Sequence, residues 1–132
     1  EEILRYWPPS QYQGRFCVEE RVFEGGKIPA GFPVLLITGA ATRDPRAFER
    51  GDEFDIERQP GVAIGFGHGV HSCLGAALAR LESRIAIEEL ATRWRRLEVD
   101  DAGLRRVHMA NVAGYSNVPV RVDQGDARTR RP

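Results

Sequence analysis

From Leu74 to Leu97 the apolar residues fall into two runs, Leu74, Leu78, Leu81, Ile85 and then Ile87, Leu90, Trp94, Leu97, with charged residues between them. Within each run the steps are three and four, the spacing that lays an apolar stripe on a helix. This predicts one long amphipathic helix over 74–97. At the start of the chain, Glu1 to Trp7 reads as the end of a helix, stopped by Pro8 and Pro9, because proline has no amide donor and clashes with the preceding turn. The stretch RFCVEERVFEGGKIPAGFPVLLIT, Arg15 to Thr38, alternates short β-branched or aromatic runs with Gly25-Gly26 and Pro29 to Gly31. That punctuation predicts short antiparallel strands and turns. Val34 to Ile37 is continuous and apolar, so it reads as a buried strand.

Between Gly39 and Gly61 the text turns polar and rich in breakers (Asp-Pro, Arg-Gly-Asp, Gln-Pro-Gly), with one short helical turn expected near Pro45 to Glu49. The Arg50-Gly51-Asp52 triplet carries no adhesion reading, since three residues recur by chance. The segment HMANVAGYSNVPVRV, His108 to Val122, predicts a terminal β-hairpin turning near Asn111 to Gly114. Residues 123–132 read as a frayed, disordered tail. There is no internal repeat. The fold class expected is α+β.

Composition adds bounds. With 132 residues and 42% hydrophobic content, the chain could bury about two thirds of its unfolded surface, enough for one compact domain. It opens on a helix pattern already under way, without an N-cap, and so reads as a piece of something longer. Nineteen basic residues balance nineteen acidic ones, which leaves no field to draw nucleic acid or an anionic membrane. No apolar run is long enough to span a bilayer and no signal-peptide pattern opens the sequence, so a cytoplasmic location is expected. Two widely separated cysteines, Cys17 and Cys73, fit a reducing compartment better than a disulfide scaffold, with a bridge between them as the alternative.

Cys73 is where the chemistry concentrates. It lies in FGHGVHSCLG, Phe66 to Gly75, where a glycine-rich loop meets the long helix, and the amides and dipole of a helix start favour negative charge there. A nucleophilic cysteine would want a histidine base, but His71 is only two residues away. A zinc site would need two more ligands, and Cys17 and His108 show no paired spacing. A haem explains more: Gly67 and Gly69 permit a tight turn under a flat macrocycle, Gly75 removes a side chain where the porphyrin would lie, and His71 can donate to a propionate. A buried structural cysteine at a glycine turn is the plain alternative.

The same stretch resembles the haem-binding signature of the cytochrome P-450 family, F-G-x-G-x-H-x-C-x-G, at every fixed position. Other segments agree in the right order. Glu2 and Arg5 in EILR resemble the family's E-x-x-R helix, and Arg58 in FDIER resembles the arginine that joins them in a buried cluster. RDP at Arg43 to Pro45, DEFD at Asp52 to Asp55 and SNVPV at Ser116 to Val120 add to the likeness. Two departures are Ala63, where many members have histidine, and Thr42, where asparagine is usual.

The resemblance implies the C-terminal part of the mostly helical P-450 fold. Its parts would be the end of the E-x-x-R helix, small antiparallel strands, a meander, the cysteine loop, the long helix and a terminal hairpin, over residues 1–122. It implies that Cys73 is the axial thiolate of a haem b iron, that Phe66 packs beside the sulfur and that His71 contacts a propionate. Arg15 would meet a propionate too, or else be a solvated strand arginine. Ser10 to Gln13 and Asn111 to Ala113 would reach the substrate side. The implied activity of the full chain is that of an oxidoreductase, a monooxygenase inserting one atom of dioxygen into an organic substrate. Electrons would come from NAD(P)H through a ferredoxin-type partner docking near His68, Arg80 and Arg84. The family's proton-delivering acid and threonine have no counterpart in these residues, so no catalytic residue is assigned. The alternatives are a truncated remnant binding haem weakly or not at all, and a haem-thiolate sensor or isomerase.

Overall fold

In the computed structural model, residues 1–59, 61 and 64–123 are described; Ala63 and the expected tail from 124 onward lie outside the described residues. The chain forms two units, Glu1–Gly67 with His108–Ala113, and His68–Val107 with the residues from Gly114.

The first unit begins with helix α1, Glu2–Tyr6, which ends at Trp7 (φ −138°, ψ 71°) where the Trp7 amide donates to Ile3 O. Pro8 and Pro9 follow, as the missing amide requires. Strand β1, Gln13–Phe16, pairs antiparallel with β4, Pro33–Leu36, in the register Arg15↔Val34. Between them, β2, Arg21–Phe23, and β3, Gly26–Ile28, form a hairpin closed at Phe23↔Gly26. Gly26 there has φ +138°, and Gly31, in the turn that leads into β4, has φ +78°. Both values favour glycine.

The expected buried strand over Val34 to Ile37 is displaced by one residue and is not buried: only Val34 is even half-covered. A continuous apolar run tells that a strand wants cover, but its neighbours decide whether it gets any. Helix α2, Thr38–Ala41, falls where turns alone were expected. Its Thr-Gly-Ala-Ala sequence carries little helical signal, and its last turn is held by Thr42, whose hydroxyl donates to Thr38 O at 3.1 Å. The helical turn expected near Pro45 is a single one, with the Phe48 amide donating to Asp44 O at 2.8 Å. The meander from Thr42 to Arg58 then leads to a short 3₁₀ turn, Ile64–Phe66.

The second unit opens with a 3₁₀ turn, Gly69–His71, followed by helix α3, Ala76–Arg93. Helix α3 is shorter than the expected 74–97. Trp94 turns extended (φ −125°, ψ 138°), and Leu97 lies in strand β5, Leu97–Val99. The last apolar step of the helical pattern was thus a strand residue that matched it by coincidence of spacing. Nor is α3 singly amphipathic. At about 100° per residue, Leu78, Leu81 and Ile85 share one face, while Ile87 and Leu90 lie roughly opposite.

Strand β5 pairs antiparallel with β8, Val120–Val122, and β6, Arg105–Arg106, pairs with β7, Tyr115–Asn117. The terminal hairpin is therefore β6–β7 flanked by β5–β8, and the partner strand at Leu97 was absent from the sequence-based expectation. A 3₁₀ turn, Asp101–Gly103, is capped by the Asp100 carboxylate, which accepts from the Ala102 amide at 3.2 Å.

The described residues bury little apolar surface. Among the described residues those buried are Arg5, Pro8, Thr38, Thr42 and Gly51, with the Pro8 ring the one apolar side chain larger than a methyl group. The apolar residues on both faces of α3 are exposed, as are Phe16, Phe23 and Leu35. What is buried is a polar knot, held by hydrogen bonds rather than by an apolar core.

Candidate functional site

Glu2, Arg5 and Arg58, distant in sequence, meet in the first unit. Arg5 is 4% exposed and uses every N–H of its guanidinium. Its Nε donates to Glu2 Oε2 at 2.7 Å, its Nη2 to Glu2 Oε1 at 2.7 Å and to Glu53 O at 3.0 Å, and its Nη1 to Thr42 O at 2.8 Å and Gly51 O at 2.7 Å. Arg58 Nε reaches Glu2 Oε1 at 3.3 Å, and its other nitrogens donate to Glu49 O, Arg50 O and Glu53 O. The Asp55 amide also donates to Glu2 Oε1.

One carboxylate thus anchors two arginines, and those arginines tie down the carbonyls of the meander. The Arg5 hydrogen bonds are the main cause that holds the Glu2 carboxyl down to about 2; burial opposes them, and the Asp55 amide adds to the lowering. The meander needs this support because it contains left-handed backbone at a non-glycine residue, Arg50, with φ 52°. In the Arg50-Gly51-Asp52 triplet Gly51 alone is buried, between two exposed side chains, and a Cβ there would stand 2.5 Å from Arg43 O.

Two participants carried no assigned role in the sequence. Arg43 stacks 4.1 Å above the Tyr6 ring and its Nη2 donates to Tyr6 O at 2.8 Å. Thr42 is fully buried and supplies the carbonyl to Arg5. The Arg-Asp-Pro stretch was the available signal for the first; nothing local marked the second.

The segments 10–13 and 111–113 are joined directly. The Gln11 amide donates to Asn111 O and the Ala113 amide to Pro9 O, each at 2.8 Å, and Ser10 bridges to Val112. Arg15, half-buried on β1, donates from Nη2 to Gln13 Oε1 at 3.1 Å and from Nη1 to Gly14 O at 2.8 Å.

Phe66 closes the 3₁₀ turn of the first unit, half-buried, and Gly67 follows with φ +75°. In the second unit, Gly69 has φ +73°, His71 is exposed, and Cys73 is exposed with a free thiol. The helix does not start at the cysteine: Gly75 is the N-cap, and the Ala76 amide donates to Cys73 O at 3.2 Å. Among the described residues none is hydrogen-bonded to the Cys73 sulfur, and none forms a group of three ligating side chains that could hold a metal ion. Cys17 is also free, its thiol directed at Glu19 O, so the bridge alternative is set aside.

These residues fit a haem. They offer a single accessible sulfur donor, and a macrocycle supplies the remaining in-plane ligands that the protein does not. Space is open where a Cβ would stand at Gly69 and Gly75.

A sequence model of the family described as cytochrome P-450 matches residues 1–103. The chain is 42% identical over 123 residues to erythromycin C-12 hydroxylase of Saccharopolyspora erythraea, and 44% identical over 124 residues to mycinamicin IV hydroxylase/epoxidase of Micromonospora griseorubida. Each match covers 91% of this chain and 31% of the relative, so the chain spans about a third of the length of the curated relatives it matches. The crystal structure of P450BioI in complex with acyl carrier protein ligated to hexadec-9Z-enoic acid superposes with a TM-score of 0.86 at 40% identity, over 92% of this chain and 32% of that one.

Proposed function

The chain belongs to the cytochrome P-450 family, and on that premise we propose that residues 1–122 are the haem-binding portion of a haem-thiolate monooxygenase. The observation that carries this reading is Cys73: an exposed, free thiol between left-handed glycines and the start of α3, in a signature matched at every fixed position. A bound haem iron with a thiolate ligand supplies dioxygen activation, because the thiolate pushes electron density that favours O–O cleavage.

The chain's own residues bind and orient. Cys73 would hold the haem iron through its thiolate, and Phe66 would lie near that sulfur. Gly67 and Gly69 would let the backbone turn close to the bound ring, Gly75 would leave room for it, and His71 and Arg15 would each offer a propionate a charge-assisted hydrogen bond. Glu2, Arg5 and Arg58 fix the meander. The joined segments 10–13 and 111–113 face the substrate. In the overall reaction one oxygen atom enters a C–H bond of an organic substrate, and the other leaves as water with two electrons and two protons. The hydroxylase names of the two relatives support this reaction class.

Electrons reach the site from NAD(P)H through a ferredoxin-type donor docking near His68, Arg80 and Arg84, in the reducing cytoplasm. Helix α3 carries three arginines and three glutamates, and Arg84 already faces Glu88 at 3.7 Å. Reduction by the donor is therefore expected to slow with ionic strength, but only by a few-fold between low and physiological salt. Rates independent of salt in stopped-flow reduction would remove electrostatic docking at these residues. Among the described residues no helix is long and apolar enough to cross a membrane.

The primary test is the carbon-monoxide difference spectrum of the reduced, haem-supplied natural protein. A strongly red-shifted Soret band supports thiolate ligation, and its absence overturns the reading. The 132 residues expressed alone leave the apolar faces of α3 uncovered, and they are expected to retain haem poorly. Stoichiometric tight uptake in a haem titration would contradict that expectation.

A further inference from the structure

We infer that Gly65 is a positioning residue for the haem ligand loop, seating the turn that carries Phe66 directly on the backbone of the E-x-x-R helix. The inference rests on the haem-thiolate reading above and deepens it. A Cβ built at Gly65 would stand 2.9 Å from Leu4 O and 3.5 Å from Pro8 Cβ, against 3.4–4 Å for an ordinary contact. The nearer obstacle is a carbonyl in helix α1, not the tip of a flexible side chain, so no rotamer change relieves it. Gly65 is not one of the left-handed glycines. Close approach, rather than backbone conformation, is what its missing side chain permits.

The seat is rigid on the α1 side. Leu4 precedes Arg5, whose guanidinium is fixed by five hydrogen bonds. Pro8, the other wall, is fully buried, and its carbonyl accepts from Gln11 Nε2 at 2.5 Å. Gln11 in turn donates from its amide to Asn111 O and accepts at its carbonyl from the Gly39 amide at 2.9 Å. The movable partner is therefore the turn Ile64–Phe66. A side chain at position 65 displaces that turn away from α1, and Phe66, the next residue, moves with it. Phe66 is the residue assigned to the neighbourhood of the sulfur, so the displacement is read out at the thiolate.

The test compares Gly65→Ala with Gly14→Ala in the full natural protein loaded with haem. Gly14 lies on β1 with open space around its Cβ position, so it controls for the added methyl group. Three quantities are read: the Soret position of the reduced carbon-monoxide complex, the midpoint reduction potential, and the rate of haem transfer to an apo-haem acceptor. Far-UV circular dichroism reports the fold. Gly65→Ala is expected to move the band and the potential and to speed haem loss about tenfold, the lower end of what loss of an outer-shell support costs a metal site. Gly14→Ala is expected to change none of these.

Should Gly65→Ala fail to fold, Pro8→Gly removes the Cβ that forms the other wall of the seat, and is expected to shift the same band and potential. Unchanged band, potential and haem loss in the folded variants overturn the inference while leaving the haem-thiolate reading in place. A wild-type protein without the thiolate band overturns both.

Discussion

Cys73→Ser is expected to abolish the red-shifted carbon-monoxide band of the reduced, haem-supplied protein, while Cys17→Ser leaves it intact. The expected size is complete loss, because the ligand is a thiolate and a serine hydroxyl stays protonated at neutral pH, so it cannot supply the same electron donation. The two cysteines differ in a way that makes the comparison informative. Cys73 is exposed, with no hydrogen bond to its sulfur among the described residues, ahead of a helix whose N-cap is Gly75. Cys17 is half-buried past the end of β1, its thiol donating to Glu19 O at 2.9 Å and directed more distantly at Ile28 O. A band that survives in Cys73→Ser and vanishes in Cys17→Ser would transfer the ligand to the first unit and undo the assignment. Haem content should be measured on the same samples, since a five-coordinate or histidine-bound haem can persist after the thiolate is gone.

The second large effect is on stability. Arg5→Ala is expected to cost about 3–5 kcal/mol, as breaking a buried ion pair from one side does. It strands the Glu2 carboxylate and leaves the carbonyls of Thr42, Gly51 and Glu53 without the donor that now serves them. Arg5→Lys is expected to recover little, because an ammonium offers three donors without the planar fork, and all five guanidinium N–H groups are used here. Urea unfolding of the wild type and both variants measures this. A loss below about 1 kcal/mol for Arg5→Ala would show that the meander holds without the cluster, a value typical of exposed pairs.

The same cluster sets an acid limit. Glu2 titrates at about 2 in the folded protein against an ordinary 4.5, chiefly because Arg5 hydrogen-bonds its carboxylate. A carboxyl with a lowered folded-state value takes up a proton more readily when unfolded. Its contribution to stability is therefore present in full above pH 4.5 and disappears as the pH falls from 4.5 through about 2. Stability curves should steepen in that window, and Glu2→Gln should flatten that part of the profile. An unchanged slope in Glu2→Gln would assign the acid sensitivity to other carboxylates.

The ligand loop was legible because it is local. Glycine placement, the cysteine and the following helix all lie within a dozen residues, and left-handed φ at Gly67 and Gly69 is a property of the turn itself. The E-x-x-R pair was equally readable as an i, i+3 contact. Three expectations failed. Val34 to Ile37 is exposed, Leu97 belongs to a strand, and α2 forms over a weak helical sequence. The second and third outcomes are decided by partners far along the chain: β8 for the strand, and for α2 the Arg5 guanidinium on the Thr42 carbonyl together with the Gln11 carbonyl, which accepts from the Gly39 amide.

By itself, then, the sequence determined the family, the thiol that can hold iron and the order of the elements, because these are carried by residue identity at short fixed spacing. Only the tertiary structure decided that the buried centre of the described residues is a polar knot around Arg5 rather than an apolar core. It also decided that Gly65 has no room for a side chain and that segments 10–13 and 111–113 are bonded to each other. Those facts depend on which backbone carbonyls and amides arrive at a given place from 37 to 104 residues away, and every residue but proline carries the same two groups. Nothing in the side-chain sequence distinguishes the carbonyl of Leu4 or Thr42 from any other until the chain has folded around it.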